Sequence, residues 1–435
     1  MSNKNSKSKI KVAIVCDWLT SFGGAERVLA SIHELYPDAP IYTSQYRPKK
    51  INWFKHVTVK TGWINFFPTW SRYFIGPLRQ FYFSHLDLSD YDLVISVTGA
   101  EAKSVLTKKS DKHQALHLSY CHMPTQYYWS KYDDYIKDPG FGPLNPVMRL
   151  GLRCLVAPAR KADFKAAQRP DFFLTCSNYA ASEITKHYKR EAIVAHPPVA
   201  VELFQQVLKD KIKIGNCQEK SNQNKNIKNE KKQINKTEHQ TKHNSTPVEN
   251  SQNSIRFSDL PSPEQIAADG SYFINYSRQV GWKRLDLAIK ACLKNQQKLV
   301  LIGDGSAHPE LVKLAQASPL IYFLPPLDQV KLKQYLTHAK AFIFPSEEPF
   351  GIAPVEALAA GCPVIAFAKG GAKDYVIPGK NGIFFSEQTT SSLSHAIQEF
   401  NQKSFSPQVV SQSSNQFSDA NFKRIIEEIV SEKLQ

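Results

Sequence analysis

The sequence predicts an α/β protein made of two doubly wound, Rossmann-like halves that face one another across a cleft. Three observations carry this. The chain has 435 residues, too many for one ordinary core and a natural length for two domains. Short apolar runs alternate with helical text in both halves, the pattern of parallel sheets covered on both faces. Between the halves, at about 206–265, lies a stretch of Asn, Gln and Lys with scarcely an aliphatic residue.

The first half, 1–205, begins with a strand in "IKVAIVCD" (10–17) and continues as "WLTSFGGAERVLASIHELYP". There a glycine pair opens a helix whose apolar positions Val28, Leu29, Ile32 and Leu35 keep near-helical spacing. The runs "YDLVISV", "LHLSYCH", "DFFLTCS" and "AIVAHPPV" read as further strands. The insert, with text such as "KSNQNKNIKNEKKQINK", cannot bury enough surface to offset the ordering of its backbone, so it reads as a disordered linker. A nucleic-acid tail would want aromatics between the lysines, and none interleave with them.

Strand signals resume over 266–415 in "SYFINYS", "KLVLIG", "LIYFL", "AKAFIFPS" and "PVIAFA", each separated by helical text. The last segment, 416–435, reads as a helix with Ser418 as N-cap and one apolar stripe of Phe422, Ile425, Ile426, Ile429 and Val430. It is expected to pack back towards the first domain. Two such domains leave a cleft between them, where ligands are usually held.

Composition limits the partners. The formal charge of +16 favours an anionic partner, although part of that excess sits in the insert. Seven cysteines are scattered without CxxC spacing, which reads as buried free thiols of a reducing compartment. The basic start "MSNKNSKSK" is not followed by an apolar leader, and no run approaches the roughly 20 apolar residues of a membrane span. The expectation is a cytoplasmic protein, able to touch the inner face of the cell membrane from the surface.

The chemistry concentrates in "EEPFGIAPVEALAAG" (347–361), where Glu348 and Glu356 stand eight positions apart around a Phe-Gly turn. The segment follows a strand and opens a helix, the place where open α/β sheets bind ligands. Gly351 lets the backbone approach a ligand closely. Two acids there are acceptors for hydroxyls, and they suit a sugar or ribose better than a phosphate. The cations for a phosphate come from "YSRQVGWKRLD" (276–286), where Arg278, Lys283 and Arg284 follow a strand. Each such charge about 4 Å from a phosphate oxygen gains on the order of 4 kcal/mol at an effective dielectric near 20. A solvated basic loop is the plainer reading of these residues, and the neighbouring acids argue against it.

These motifs carry a resemblance. "SRQVGWKRLDLAIKA", "LVLIGDG" and "FPSEEPFGIAPVEALAAGCPVIAFAKGGAKDYVIPGKNGIFF" resemble the donor-binding half of retaining family 4 glycosyltransferases of the GT-B fold. "CDWLTSFGGAERVL", "YDLVIS", "SYCHMPTQYYW" and "NYAASEITKHY" resemble the acceptor half of the same family, nearest to bacterial mannosyltransferases of polysaccharide or lipopolysaccharide assembly. The likeness covers both domains, without the insert and the first few residues.

The resemblance implies a hexosyltransferase that takes a nucleotide-diphosphate sugar as co-substrate, GDP-mannose first and UDP-sugars as the alternative. It implies a glycan or lipid-linked acceptor. The sequence shows no metal-ligand cluster, so neither a metal nor any other cofactor is expected. Glu348 would bind the donor sugar's hydroxyls, and the backbone of Phe350, Gly351 and Ile352 would contact sugar and diphosphate. Glu356 would hold the ribose. Arg278 and Lys283 would grip the diphosphate, with Arg284 beside them. Gly23 and Gly24 would form the loop facing phosphate and acceptor. His122 would sit beside the transferred sugar, although a histidine ending an apolar run is by itself more often structural. The chain departs from the family in "SAHPE" after "LIGDG" and in "FLPPL", where Pro325 and Pro326 stiffen a loop expected near the nucleobase.

Between Asp38 and Asp87 there is no acid but seven Lys or Arg, and 62–83 holds nine aromatics together with Arg72 and Arg79. Two readings stand: a core helix with a basic exposed face, or a patch over 47–83 that touches an anionic membrane. Two other functional classes stay open. A nicotinamide oxidoreductase lacks its GxGxxG after a strand. A non-catalytic nucleotide-sugar or nucleic-acid binder would keep the charge without needing Glu348 or His122, and nucleic acid is not the expected partner.

Overall fold

The computed structural model describes residues 10–49, 51–69, 71, 75–110, 113–137, 145–206, 208, 261–267 and 271–434. The Asn/Lys-rich insert lies, over 209–260, outside the described residues. The first domain holds strands β1 (Val12–Cys16), β2 (Ile41–Thr43), β3 (Val59–Thr61), β4 (Leu93–Thr98), β5 (Leu116–Cys121), β6 (Phe172–Thr175) and β7 (Ala192–Val194). They form one parallel sheet in the order β3-β2-β1-β4-β5-β6-β7. Its main helices are α1 (Gly24–Leu35), α2 (Gly76–Ser84), α3 (Asn145–Ala166) and α4 (Asn178–Tyr188).

The second domain repeats the plan. Its strands are β8 (Tyr272–Tyr276), β9 (Leu299–Ile302), β10 (Ile321–Leu324), β11 (Ala339–Phe344), β12 (Val364–Phe367) and β13 (Gly382–Phe385), parallel in the order β10-β9-β8-β11-β12-β13. Helices α5 (Leu285–Lys294), α6 (His308–Ala315), α7 (Gln329–His338), α8 (Ile352–Ala359) and α9 (Thr390–Asn401) accompany them. In both sheets the order reverses beside the first strand, between β1 and β4 and between β8 and β11. Such a reversal opens a crevice at the carboxyl ends of the two strands. The apolar runs become these strands because a sheet covered on both faces leaves no polar side; β1, β4 and β9 are buried at every position.

The last helix, α10 (Asp419–Lys433), is capped by the Ser418 side chain, which accepts from the Asn421 N–H. It lies against α1 of the first domain. Ser31 donates to Asp419 at 2.5 Å, and Lys423 pairs with Glu34. Phe422 packs on Tyr120 with ring centroids 5.9 Å apart. One apolar cluster runs through both domains, from Ile14, Ile95 and Leu118 to Ile274, Phe342 and Val364, with Phe417 and Phe422 at the junction.

Two expectations are corrected here. The thiols are not all buried: Cys154 on α3 is exposed, while Cys16, Cys121, Cys176, Cys292 and Cys362 are buried. Nor does Arg79 belong to a basic outer face. Its guanidinium is buried, donating to Glu101 at 2.8 Å and lying 4.9 Å from the Trp18 ring. Two turns of α2 suffice to turn Arg79 and Phe83 inward while Leu78 and Phe81 point out. Arg72 lies outside the described residues. No helix among the described residues is long and apolar enough to cross a membrane.

Candidate functional site

The loops after β8 and β11 carry the predicted residues, and these two strands are neighbours in the sheet, pairing Ile274 with Phe342. Residues 65 positions apart are thereby brought into contact. Lys283 Nζ donates to Glu348 Oε1 at 2.5 Å, and Ser346 Oγ donates to the same oxygen at 2.7 Å. Both side chains of the ion pair keep a little exposure, 14% for Lys283 and 12% for Glu348. The ammonium also lies 4.5 Å from the Trp282 ring centroid. Glu348 is held in place from behind: its carbonyl accepts from the Gly371 N–H at 2.9 Å. A Cβ on Gly370, whose φ is +75°, would come within 2.5 Å of that same carbonyl.

Glu356 stands one turn into α8 and is 2% exposed. A carboxylate so deep needs partners, and it has two. Tyr276, the last residue of β8, donates its hydroxyl to Oε2. Arg27, from α1 of the other domain, donates Nη1 to Oε1 at 2.5 Å. Burial, followed by the Glu356 charge, raises the Tyr276 pKa well above its ordinary value, so this hydroxyl remains a donor. Burial works against the Arg27 charge, but Glu356 outweighs it and the pKa is raised.

Arg278 is exposed at the mouth of the β8 loop, and Arg284 turns away to Asp286 at 3.1 Å. The Phe350 side chain is buried among His196, Tyr375 and Phe417, so only its backbone is placed to meet a ligand. Gly351 adopts φ +91° as N-cap of α8, and a Cβ there would lie 2.7 Å from the Phe344 ring. Gly23 is the N-cap of α1. The two N-cap residues, both glycine, bring no capping side chain of their own, and the two starts meet: a Cβ on Gly24 would lie 3.2 Å from Ile352 Cδ1. Two helix N-termini that meet bring backbone N–H groups and positive dipole ends close together, which favours an anion nearby.

His122 follows β5, its N–H bonded to the Thr98 carbonyl at 2.9 Å. Its Nε2 is shielded from solvent without a hydrogen-bond partner. Burial lowers its pKa to about 4, so the ring is neutral near pH 7. The structure thus joins Lys283 with Glu348, sets Glu356 beside Tyr276 and Arg27, and places Gly24 against Ile352. It turns Arg284 elsewhere. Sequence reasoning missed Arg27 and Tyr276 as site residues. The only signal was position, since Arg27 ends "GGAER" and Tyr276 stands two places before Arg278.

Further contacts join the domains beside this site. Ser177 Oγ donates to the Pro349 carbonyl at 2.5 Å, the Asn178 N–H to Asp374 at 2.8 Å, and Tyr179 to Glu347 at 2.8 Å. An open cavity of about 280 Å³ lies at this seam, lined by Asn178, Tyr179, Glu347, Lys369, Lys373 and Asp374 among others. It adjoins Glu348 in sequence but is not lined by it.

The family model described as "Glycosyl transferases group 1" matches residues 257–421. An uncharacterized glycosyltransferase of Bacillus subtilis, YqgM, is 35% identical over 121 residues, covering 26% of this chain and 34% of that protein. The chain thus spans about a third of the length of that curated relative. Among solved structures, Anabaena Alr3699/HepE in complex with UDP superposes with a TM-score of 0.60 at 17% identity, covering 97% of this chain and all of that one. Sucrose-phosphate synthase from Thermosynechococcus elongatus gives 0.61 at 14% identity, covering 98% and 99%. These likenesses establish the architecture: two Rossmann-like domains in the GT-B arrangement, with a match to the glycosyl transferases group 1 model in the second.

Proposed function

We propose that this chain is a retaining hexosyltransferase that moves a sugar from a nucleotide diphosphate to a glycan or lipid-linked acceptor. One observation carries the reading. Inside the segment that matches the glycosyl transferases group 1 model, a cation and an acid, Lys283 and Glu348, meet at the switch point between β8 and β11 and remain partly open to solvent. An ion pair of this kind can be exchanged for a ligand that brings both a negative diphosphate and hydroxyl donors. Lys283 then passes to the diphosphate and Glu348 to the sugar hydroxyls, so neither charge is stranded.

In this reading the bond from the anomeric carbon to the phosphate oxygen breaks with oxocarbenium character, and its electron pair leaves with the diphosphate. The acceptor hydroxyl adds to the anomeric carbon on the same face, and its proton passes to the departing phosphate oxygen. Arg278, Lys283 and the starts of α1 and α8 stabilise the leaving charge, the largest catalytic term. His122, neutral, lies beside the transferred sugar. The contacts between the domains keep water away from the reacting centre. Arg278 and Lys283 supply the positive charge, so the proposal asks for no divalent ion.

GDP-mannose is the donor that the family resemblance favours. A UDP-sugar is the second reading, favoured by the likeness to the HepE structures solved with UDP and with UDP-glucose. The acceptor side adds a membrane surface. Trp53, Trp63, Phe66 and Phe81 are exposed alongside Lys55 and Lys60. α3 exposes Val147, Leu150 and Leu155 on a helix with five basic residues and one acid. Apolar side chains among basic ones suit an anionic bilayer.

A panel of nucleotide sugars, read by thermal shift and then by release of nucleoside diphosphate in the presence of EDTA, tests the proposal. A donor that binds the folded state raises the melting temperature, by an amount that grows with the logarithm of its concentration over Kd, and EDTA leaves its turnover within about twofold. No shift with any nucleotide sugar overturns the reading. Sedimentation with phosphatidylglycerol vesicles at low salt checks the membrane surface, which fails if the protein stays in the supernatant.

A further inference from the structure

The acid expected to hold the ribose is completed by the other domain. Glu356 belongs to α8 of the second domain, yet the cation that neutralises it is Arg27, 329 residues earlier on α1. The ion pair is lopsided: Glu356 is 2% exposed and Arg27 is 29% exposed. Tyr276 supplies a hydrogen bond but no charge. With Arg27 withdrawn, Glu356 is a buried carboxylate without a cation, a state that favours its turning away towards other partners. It then ceases to be an acceptor at a fixed place.

We infer that Arg27 is a positioning residue for the donor site: it holds the Glu356 carboxylate in place for the ribose hydroxyls, and so makes donor binding depend on contact between the domains. This rests on the functional reading above and adds to it a residue from the acceptor domain. The carboxylate keeps acceptor capacity for the donor. A carboxylate offers about four acceptor positions, and Arg27 and Tyr276 take one on each oxygen, so ribose hydroxyls can bind without displacing Arg27. The starts of the two helices meet at Gly24 and Ile352, and Arg27 donates its own N–H back to the Gly23 carbonyl at 3.1 Å. A change in the angle between the domains would therefore move the cation away from its acid. Affinity for the nucleotide and closure of the cleft become coupled quantities.

The coupling predicts a distinct kinetic pattern. A ribose contact holds ground state and transition state alike, so its loss raises the donor KM and spares kcat. Turnover is measured with GDP-mannose and UDP-glucose as release of nucleoside diphosphate, in wild type, R27A, R27K, E356Q and the double variant R27A/E356Q. The expected result is a donor KM about 10- to 100-fold higher in R27A, the size of losing a hydrogen bond to a charged group. Its kcat stays within about threefold, and R27K recovers most of the loss. In the E356Q background, removing Arg27 adds less than about twofold. R27K also keeps the test open should R27A fail to fold.

An R27A KM within about twofold of wild type overturns the inference, as does an R27A effect of equal size with and without Glu356. Failure of the functional reading looks different. There the wild-type protein neither turns over these donors nor gains thermal stability from GDP or UDP. A wild type that binds and reacts normally beside an indifferent R27A breaks only the role of Arg27.

Discussion

The two switch points share a topology and treat their charges in opposite ways. In the first domain Asp17 follows β1 and is 7% exposed. Its Oδ1 accepts from Thr98 at 2.9 Å and the Ala102 N–H at 2.7 Å, and its Oδ2 from the Gly99 N–H at 2.8 Å and the Ala100 N–H at 3.1 Å. Nothing is left for a ligand to claim; the acid ties the β4 loop to β1. In the second domain Glu348 has a single cation and a hydroxyl, and both members of its ion pair reach solvent. A charge wired into backbone N–H groups builds structure. A charge paired with a partly exposed ammonium can be traded, and a trade is what the proposed diphosphate binding requires.

The largest effect expected from this contrast is on turnover. Lys283→Ala should lower kcat by about 10²–10³ at saturating donor, the size of losing one preorganised electrostatic group. Its stability in urea should fall by no more than about 2 kcal/mol, since Glu348 keeps the Ser346 hydroxyl and a little solvent. Unchanged turnover removes Lys283 from the chemistry. Asp17→Ala should do the reverse at its own switch point. Three N–H groups and a hydroxyl lose their acceptor, and urea unfolding should show a loss of about 3 kcal/mol. A loss below about 1 kcal/mol would place Asp17 among the tradeable charges.

A smaller effect lies in the pH dependence. Burial lowers His122 to about 4 and His117 to about 3, both from 6.5. The unfolded chain takes up these protons near pH 6.5 and the folded chain does not. Stability is therefore complete above about 6.5 and falls as the pH drops towards 4, by about 1.4 kcal/mol per pH unit for each histidine. His122→Gln should remove one histidine's share of that slope, read from urea midpoints between pH 6.5 and 4.5. An unchanged slope would mean that the His122 ring titrates normally in the folded protein.

The longer runs of the sheets were legible because a strand covered on both faces is written as consecutive apolar residues. "YDLVISV" became β4 and "LIYFL" became β10 within a residue or two at each end. The strands β2 and β3, of three residues each, and β13 in "NGIFF" left no such run and were found only in the structure. For the site, the sequence could place Glu348 after a strand and Lys283 after another, since that follows from local text. It could not show that they touch, because contact depends on β8 and β11 being neighbours. Arg27 was less visible still: its partner is 329 residues away and in another domain. Arg79 shows the opposite limit. Its charge suggested surface, and only the position of Glu101 explains why it is inside.

The most direct measurement is a crystal structure with GDP or UDP bound. The account predicts a diphosphate within about 4 Å of Lys283 Nζ and the Arg278 guanidinium, the Lys283–Glu348 ion pair opened, and the ribose hydroxyls on Glu356. A nucleotide seated elsewhere, for instance in the cavity beside Asn178 and Lys373, with that ion pair still closed, would contradict it.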